Sequence, residues 1–206
     1  MPFGGSTSLR NLFDGSPTPH IAHPPSTHHR DYYIASDGSH SANGSGLGVI
    51  IEGRNGNRVG RFAINDDAPD NNVAEYRALH FGLDILADRS PPNSSVGIIV
   101  DHDSLARNVN AVVLRNRHPD HEYLQEIQVP SSVGTHWRGI QARVSRFDEI
   151  RAARLDSRHN PAHPLANAPD QYAHVNQEPD RCLRPGLTTE EGDIPPPSRS
   201  NRHASD

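Results

Sequence analysis

Three short β-like runs, divided by glycine and asparagine turns and followed at once by a long helical period, constrain this chain most. Asp31-Tyr-Tyr-Ile-Ala-Ser-Asp37, Gly46-Leu-Gly-Val-Ile-Ile-Glu52 and Arg58-Val-Gly-Arg-Phe-Ala-Ile64 are separated by GSHSANGSG and GRNGN. Turns this short join strands that run antiparallel, so the three predict a meander. Val73, Tyr76, Leu79, Leu83 and Leu86 then recur at spacings of three and four. That period predicts a helix from about Asn72 to Asp88, stopped by Ser90-Pro91-Pro92. Val96 to Val100 reads as a buried strand, and Asp103 or Ser104 can cap a second helix with the stripe Leu105, Val109, Val112 and Val113. Trp137, Ile140, Val144 and Phe147 mark a further helix, with Trp137 as its core anchor, and Glu149 to Asp156 a fifth strand. A meander followed by right-handed crossovers implies an α/β fold: a five-stranded mixed sheet, three antiparallel strands plus two parallel ones, with helices on both faces.

Composition bounds what lies outside that sheet. Hydrophobic residues make up 33% of the chain and the mean hydropathy is -0.73, low enough that part of the sequence is expected to stay out of the core. Residues 1–30, rich in Gly, Ser, Pro and His, are read as a disordered tail in which His20, His23, His28 and His29 are flexible and polar; 176–206 is read as a second low-complexity tail. The domain is then expected over 31–175. Cys182 is the single cysteine, so there is neither a disulfide framework nor a zinc-finger spacing. With no apolar run of spanning length and no signal-peptide layout, a cytoplasmic monomer without membrane contact is expected. A net charge of -5 excludes the strongly basic surface of a general nucleic-acid binder, so any such contact is local or runs through metal ions.

The acidic residues at element ends point to a chemistry. Asp37 closes the first strand before Gly38 and Ser39, Asp101 and Asp103 follow the fourth, and Glu75 lies in the first turn of the first long helix. If the first and fourth strands are parallel neighbours, their C-terminal ends converge and bring carboxylates together. Such groups repel unless a cation neutralises them, and an all-oxygen site suits Mg²⁺ or Mn²⁺ and phosphoryl transfer. Taken singly, each is also an ordinary turn or cap residue.

Taken together, Asp37-Gly-Ser, Asn71-Asn72-Val-Ala-Glu75-Tyr-Arg-Ala-Leu79 and Asp103-Ser104-Leu resemble, in order, the signatures of type 1 ribonuclease H, over about Asp31 to Ala168. The resemblance implies a metal-dependent endonuclease that cuts the RNA strand of RNA/DNA hybrids with two ions, Mg²⁺ or Mn²⁺, leaving 5′-phosphate ends. It implies Asp37, Glu75 and Asp103 as metal ligands, and Gly38, Ser39, Asn72 and Ser104 as substrate contacts. Asp101 is read as an assisting group. The chain departs from the family's Ala-Asp-x-Leu-Ala-Asn segment, reading Ala162-His163-Pro164-Leu165-Ala166-Asn167. His163 therefore stands where a fourth acid is expected and is read as a catalytic metal ligand that shifts preference toward Mn²⁺; Asp170 is the weaker substitute. Arg158 and His159 lie where relatives keep a proton-transfer or phosphate-contacting residue. The rival reading is a weakened module that binds nucleic acid or a protein partner without cutting.

Overall fold

A computed structural model describes residues 7–19, 28–42, 44–120 and 126–172. Its centre is a five-stranded sheet of order β3-β2-β1-β4-β5, with β1 Tyr32–Ser41, β2 Gly44–Gly53, β3 Arg58–Asp66, β4 Ser95–Val100 and β5 Glu149–Arg154. The first three strands form the antiparallel meander, and β4 and β5 continue it in parallel with β1. The expected sheet is therefore the observed one.

Strand alternation divides the interior into two cores. Tyr32, Ile34, Val96, Ile98 and Val100 face one way, under α2 (Asn71–Arg89), α3 (Asp103–Arg117) and α4 (Gly134–Val144). Helix α2 begins where Asp70 accepts the Val73 N–H at 2.9 Å. Trp137 is buried edge-on against Tyr76, with centroids 6.1 Å apart, which is the anchoring role expected of it.

Tyr33, Ala35, Ile50, Ile99 and Ala153 face the other way, and here the structure corrects the expected N-terminal tail. Helix α1 (Leu9–Asp14) lies on this face with Leu9 and Phe13 fully buried, and Phe13 meets Tyr33 edge-on at 5.6 Å. The chain then runs beside the outer edge of β5. Pro17 accepts the Arg154 N–H at 2.9 Å, and Pro19 accepts from the Asn110 amide at 2.7 Å. Asn110, fully buried, also exchanges two 2.8 Å hydrogen bonds with the backbone of Ala152, so β5 has no bare edge there. The expected C-terminal tail, together with His20, His23 and Cys182, lies outside the described residues.

The second face is completed by α5 (His163–Asn167), followed by α6 (Pro169–Tyr172) over β3. Gly46 and Gly48 sit beneath α5. A Cβ on Gly46 would come within 2.1 Å of the Ala166 carbonyl oxygen, and one on Gly48 within 2.3 Å of that of Ala162. Those two glycines are the floor on which α5 rests. Among the described residues no helix is long and apolar enough to cross a membrane.

Candidate metal centre

The parallel register of β1 and β4 builds the centre of the site. Ala35 pairs with Ile99, so Asp37 and Asp101, each two residues further on, come level where β4 ends; β1 runs on to Ser41, so Asp37 lies within its strand rather than closing it as expected. Both continue the face of Ala35 and Ile99, the side on which α5 lies. His163, the first residue of α5, meets them there. Its Nδ1 is 3.2 Å from Asp37 Oδ2, and one ligand atom from each of Asp37, Asp101 and His163 lies within 4.8 Å of the others.

Glu75 enters from the opposite layer. Gly38 permits this, because a Cβ there would fall 2.2 Å from the Ala74 carbonyl carbon and 2.3 Å from the Glu75 nitrogen. The first turn of α2 thus rests on the β1 backbone, and Gly38 hydrogen-bonds the Glu75 carboxylate. Asp37 and Glu75 are 1% and 2% exposed, a severe setting for two acids.

Their electrostatics follow from that placement. Burial, and then the charge of Asp101, push the Asp37 carboxyl up to about 8. Burial, then Asp101 and Asp37, raise Glu75 well above the usual carboxylate range, and the Gly38 hydrogen bond only partly opposes them. Asp37 Oδ1, Glu75 Oε2 and Asp101 Oδ1 are buried without a hydrogen-bond partner. Buried oxygens of one charge sign, unsatisfied by protein, are a donor set that fits a hard divalent cation.

Asp103 is not part of this cluster. The ladder of β4 stops at Val100 and α3 starts at Asp103, so strand alternation does not extend that far. Asp103 is exposed and pairs with Arg154 at 2.7 Å. Asp101 takes the place in the cluster expected of Asp103. The cap of α3 is likewise neither Asp103 nor Ser104 but His102, whose Nδ1 accepts the Leu105 N–H at 3.2 Å. Burial lowers the His102 pKa, against the opposing charges of Asp101 and Asp103.

The remaining expected site residues divide in two. Asn72 and Ser104 line a cavity of about 660 Å³ with His102 and residues 126–130. Gly38 and Ser39 are instead committed to the protein, Gly38 to α2 and Ser39 through a 2.6 Å hydrogen bond from its Oγ to the Ala166 carbonyl. Arg158 is exposed beside Asp156, His159 is exposed, and Asp170 accepts from Asn65 at 2.5 Å. Asn160 was not singled out from the sequence. It is 2% exposed, donates to the Ser36 carbonyl at 2.9 Å and accepts the Ala162 N–H at 3.0 Å, tying the approach to α5 onto β1.

Solved structures with this architecture can be superposed on the chain. The N-terminal RNase H domain of a Mycobacterium tuberculosis protein aligns with a TM-score of 0.53 at 21% identity, over 66% of this chain and 95% of its own. LC11-RNase H1, isolated from compost by a metagenomic approach, aligns with a TM-score of 0.54 at 20% identity, over 70% of this chain and 99% of its own. The fold is that of ribonuclease H. LC11-RNase H1 has also been solved in complex with an RNA/DNA hybrid, and that structure aligns with a TM-score of 0.51 at 19% identity, over 69% and 99% of the two chains. A family model described as reverse transcriptase-like matches residues 35–130. On this ribonuclease H fold the matched stretch holds Asp37, Glu75 and Asp101 and stops short of His163. No curated protein matches the sequence.

Proposed function

We propose that this chain is a metal-dependent endoribonuclease that hydrolyses the RNA strand of RNA/DNA hybrids. The observation that carries the reading is the set of buried, unpartnered carboxylate oxygens of Asp37 in β1, Glu75 in the first turn of α2 and Asp101 just past β4, on a ribonuclease H fold. Structural neighbours of this fold include an enzyme solved with the hybrid. Asp37, Asp101 and Glu75 would hold Mg²⁺ or Mn²⁺, with His163 Nδ1 at the rim. When bound, two such ions supply an activated water and neutralise charge on the leaving oxygen. The chain's own part is to fix these donors before substrate arrives. The β1–β4 register sets Asp37 and Asp101, Gly38 admits Glu75, and the Gly46 and Gly48 floor sets α5. Asn167 Nδ2 lies 2.8 Å from the His163 ring Nε2, and Nδ1 lies 3.2 Å from Asp37 Oδ2. With Nε2 accepting from the amide, the proton of the neutral ring sits on Nδ1; for Nδ1 to take a cation that proton would move to Nε2 and the Asn167 amide would turn its oxygen to accept it.

A second reading, a module that binds the hybrid without cutting, is favoured by His163 itself. A neutral ligand removes one negative charge from the site and suits Mg²⁺ less well than Mn²⁺. Labelled RNA/DNA hybrid incubated in Mg²⁺ and separately in Mn²⁺ decides between them, with double-stranded RNA run alongside. The nuclease reading expects 5′-phosphate RNA fragments from the hybrid and greater activity in Mn²⁺; binding without products in either metal refutes it. His163→Asp is expected to improve Mg²⁺-supported cleavage.

A further inference from the structure

We propose that His102 is a positioning residue that holds the side-chain amide of Asn72 outward to donate to the nucleic acid, a role that rests on the hybrid-directed reading above. His102 leaves the sheet one residue past Asp101. Its Nδ1 accepts the Leu105 N–H at 3.2 Å, and its Nε2 lies 3.0 Å from Asn72 Oδ1. With Nδ1 engaged as an acceptor, the proton of the neutral ring sits on Nε2 and is donated to Asn72. Ser, Thr and Asp serve as N-caps through an acceptor oxygen. The imidazole adds a donor on its far side, so one side chain caps α3 and reaches across to α2.

The surroundings fix that ring. His102 stands edge-on to Tyr76 with centroids 6.0 Å apart. The Tyr76 hydroxyl accepts from Asn108 at 3.1 Å, and the same Asn108 amide donates to the Gln128 carbonyl at 2.8 Å. Asn72, His102 and Ser104 form one side of the 660 Å³ cavity and residues 126–130 the other, so this chain of contacts ties its two walls together. Asn72 is itself exposed, and an exposed amide left free must be immobilised when a ligand binds. Committing Oδ1 to His102 removes that cost beforehand and leaves Nδ2 to donate into the cavity.

The test is His102→Ser, which keeps a good cap for α3 and removes the donor. In the ligand-free protein, NMR relaxation of the Asn72 side-chain amide is expected to report an ordered group that becomes mobile in the variant. With an RNA/DNA hybrid, KM is expected to rise about three- to tenfold with kcat held within about twofold. Adding Asn72→Ala to His102→Ser is expected to cost less than about a further twofold. A mobile Asn72 amide in the unaltered protein, an unchanged KM, or additive effects of the two substitutions overturns the proposal while hybrid cleavage stands. An unaltered protein that neither binds nor cuts the hybrid overturns the hybrid-directed reading, and this role with it.

Discussion

Asp37→Asn is expected to make the metal-free protein more stable while removing its capacity to bind divalent metal. Asp37 is 1% exposed, with one carboxylate oxygen unpartnered, and its carboxyl is pushed from 3.8 up to about 8, by burial first and the charge of Asp101 second. Between those two values the native state holds a proton that the unfolded chain has released. Stability in the absence of metal therefore falls as pH rises from about 4 to about 8. At 1.36 kcal/mol per unit, the cost near pH 8 has a ceiling of about 5 kcal/mol, and partial relaxation of the site places the expected gain from asparagine on the order of 2–4 kcal/mol. For a domain of this size that is a rise in Tm of roughly 5–12 °C. Thermal melts in a chelator at pH 8 measure it, and the same melts near pH 4 should show a gain of only about 0.5 kcal/mol, because the native carboxyl is then neutral. Added Mn²⁺ should raise the Tm of the unaltered protein and leave that of the variant where it was. If asparagine gives no gain at pH 8, or destabilises the fold, the Asp37 carboxylate is already compensated and the argument for a cation-demanding site fails.

Other substitutions probe separate parts of the design. Asp101→Asn should lower kcat for hybrid cleavage by at least about 100-fold while Asp103→Asn stays within about threefold, because only Asp101 faces Asp37; the reverse ranking would restore Asp103 to the site. Gly48→Ala puts a methyl 2.3 Å from the Ala162 oxygen, so α5 must lift; urea melts should show a loss of about 1–3 kcal/mol, with Mn²⁺ affinity weakened as His163 moves. Phe13→Ala removes a fully buried ring and should cost about 3–5 kcal/mol in the same melts, whereas a dispensable tail would lose nothing.

These outcomes bear on how much could be read from residues alone. The meander was legible because glycine turns and period-two runs are local signals, and Asp37 and Glu75 were legible because each sits in a strongly patterned element, although β1 runs on to Ser41 and Asp37 does not close it. The choice between Asp101 and Asp103 was not. It depends on the residue at which β4 stops, and the Asp-Ser pair that resembles a family signature lies past that point, where the chain has already turned into α3. Helix α1 was hidden for a different reason. Its six residues carry only Leu9 and Phe13 as buried anchors, inside a stretch whose composition is that of a linker. What buries them is Tyr33 and Ile99, far along the chain, and no local window contains that information. His102 shows the same limit in a side chain, since its partner Asn72 is thirty positions away.

The second core also imposes an order of events on synthesis. Leu9 and Phe13 leave the ribosome before any strand of the sheet, yet Ile99, Ala153 and Leu165 complete their surroundings. Until those arrive, the anchors of α1 stay exposed on the nascent chain, and α5, which brings His163 to Asp37, has not yet been made. Long-range contacts of this kind close slowly. His163 is therefore the last member of the candidate site to be synthesised, and it joins Asp37, Glu75 and Asp101 only after all five strands of the sheet have been made.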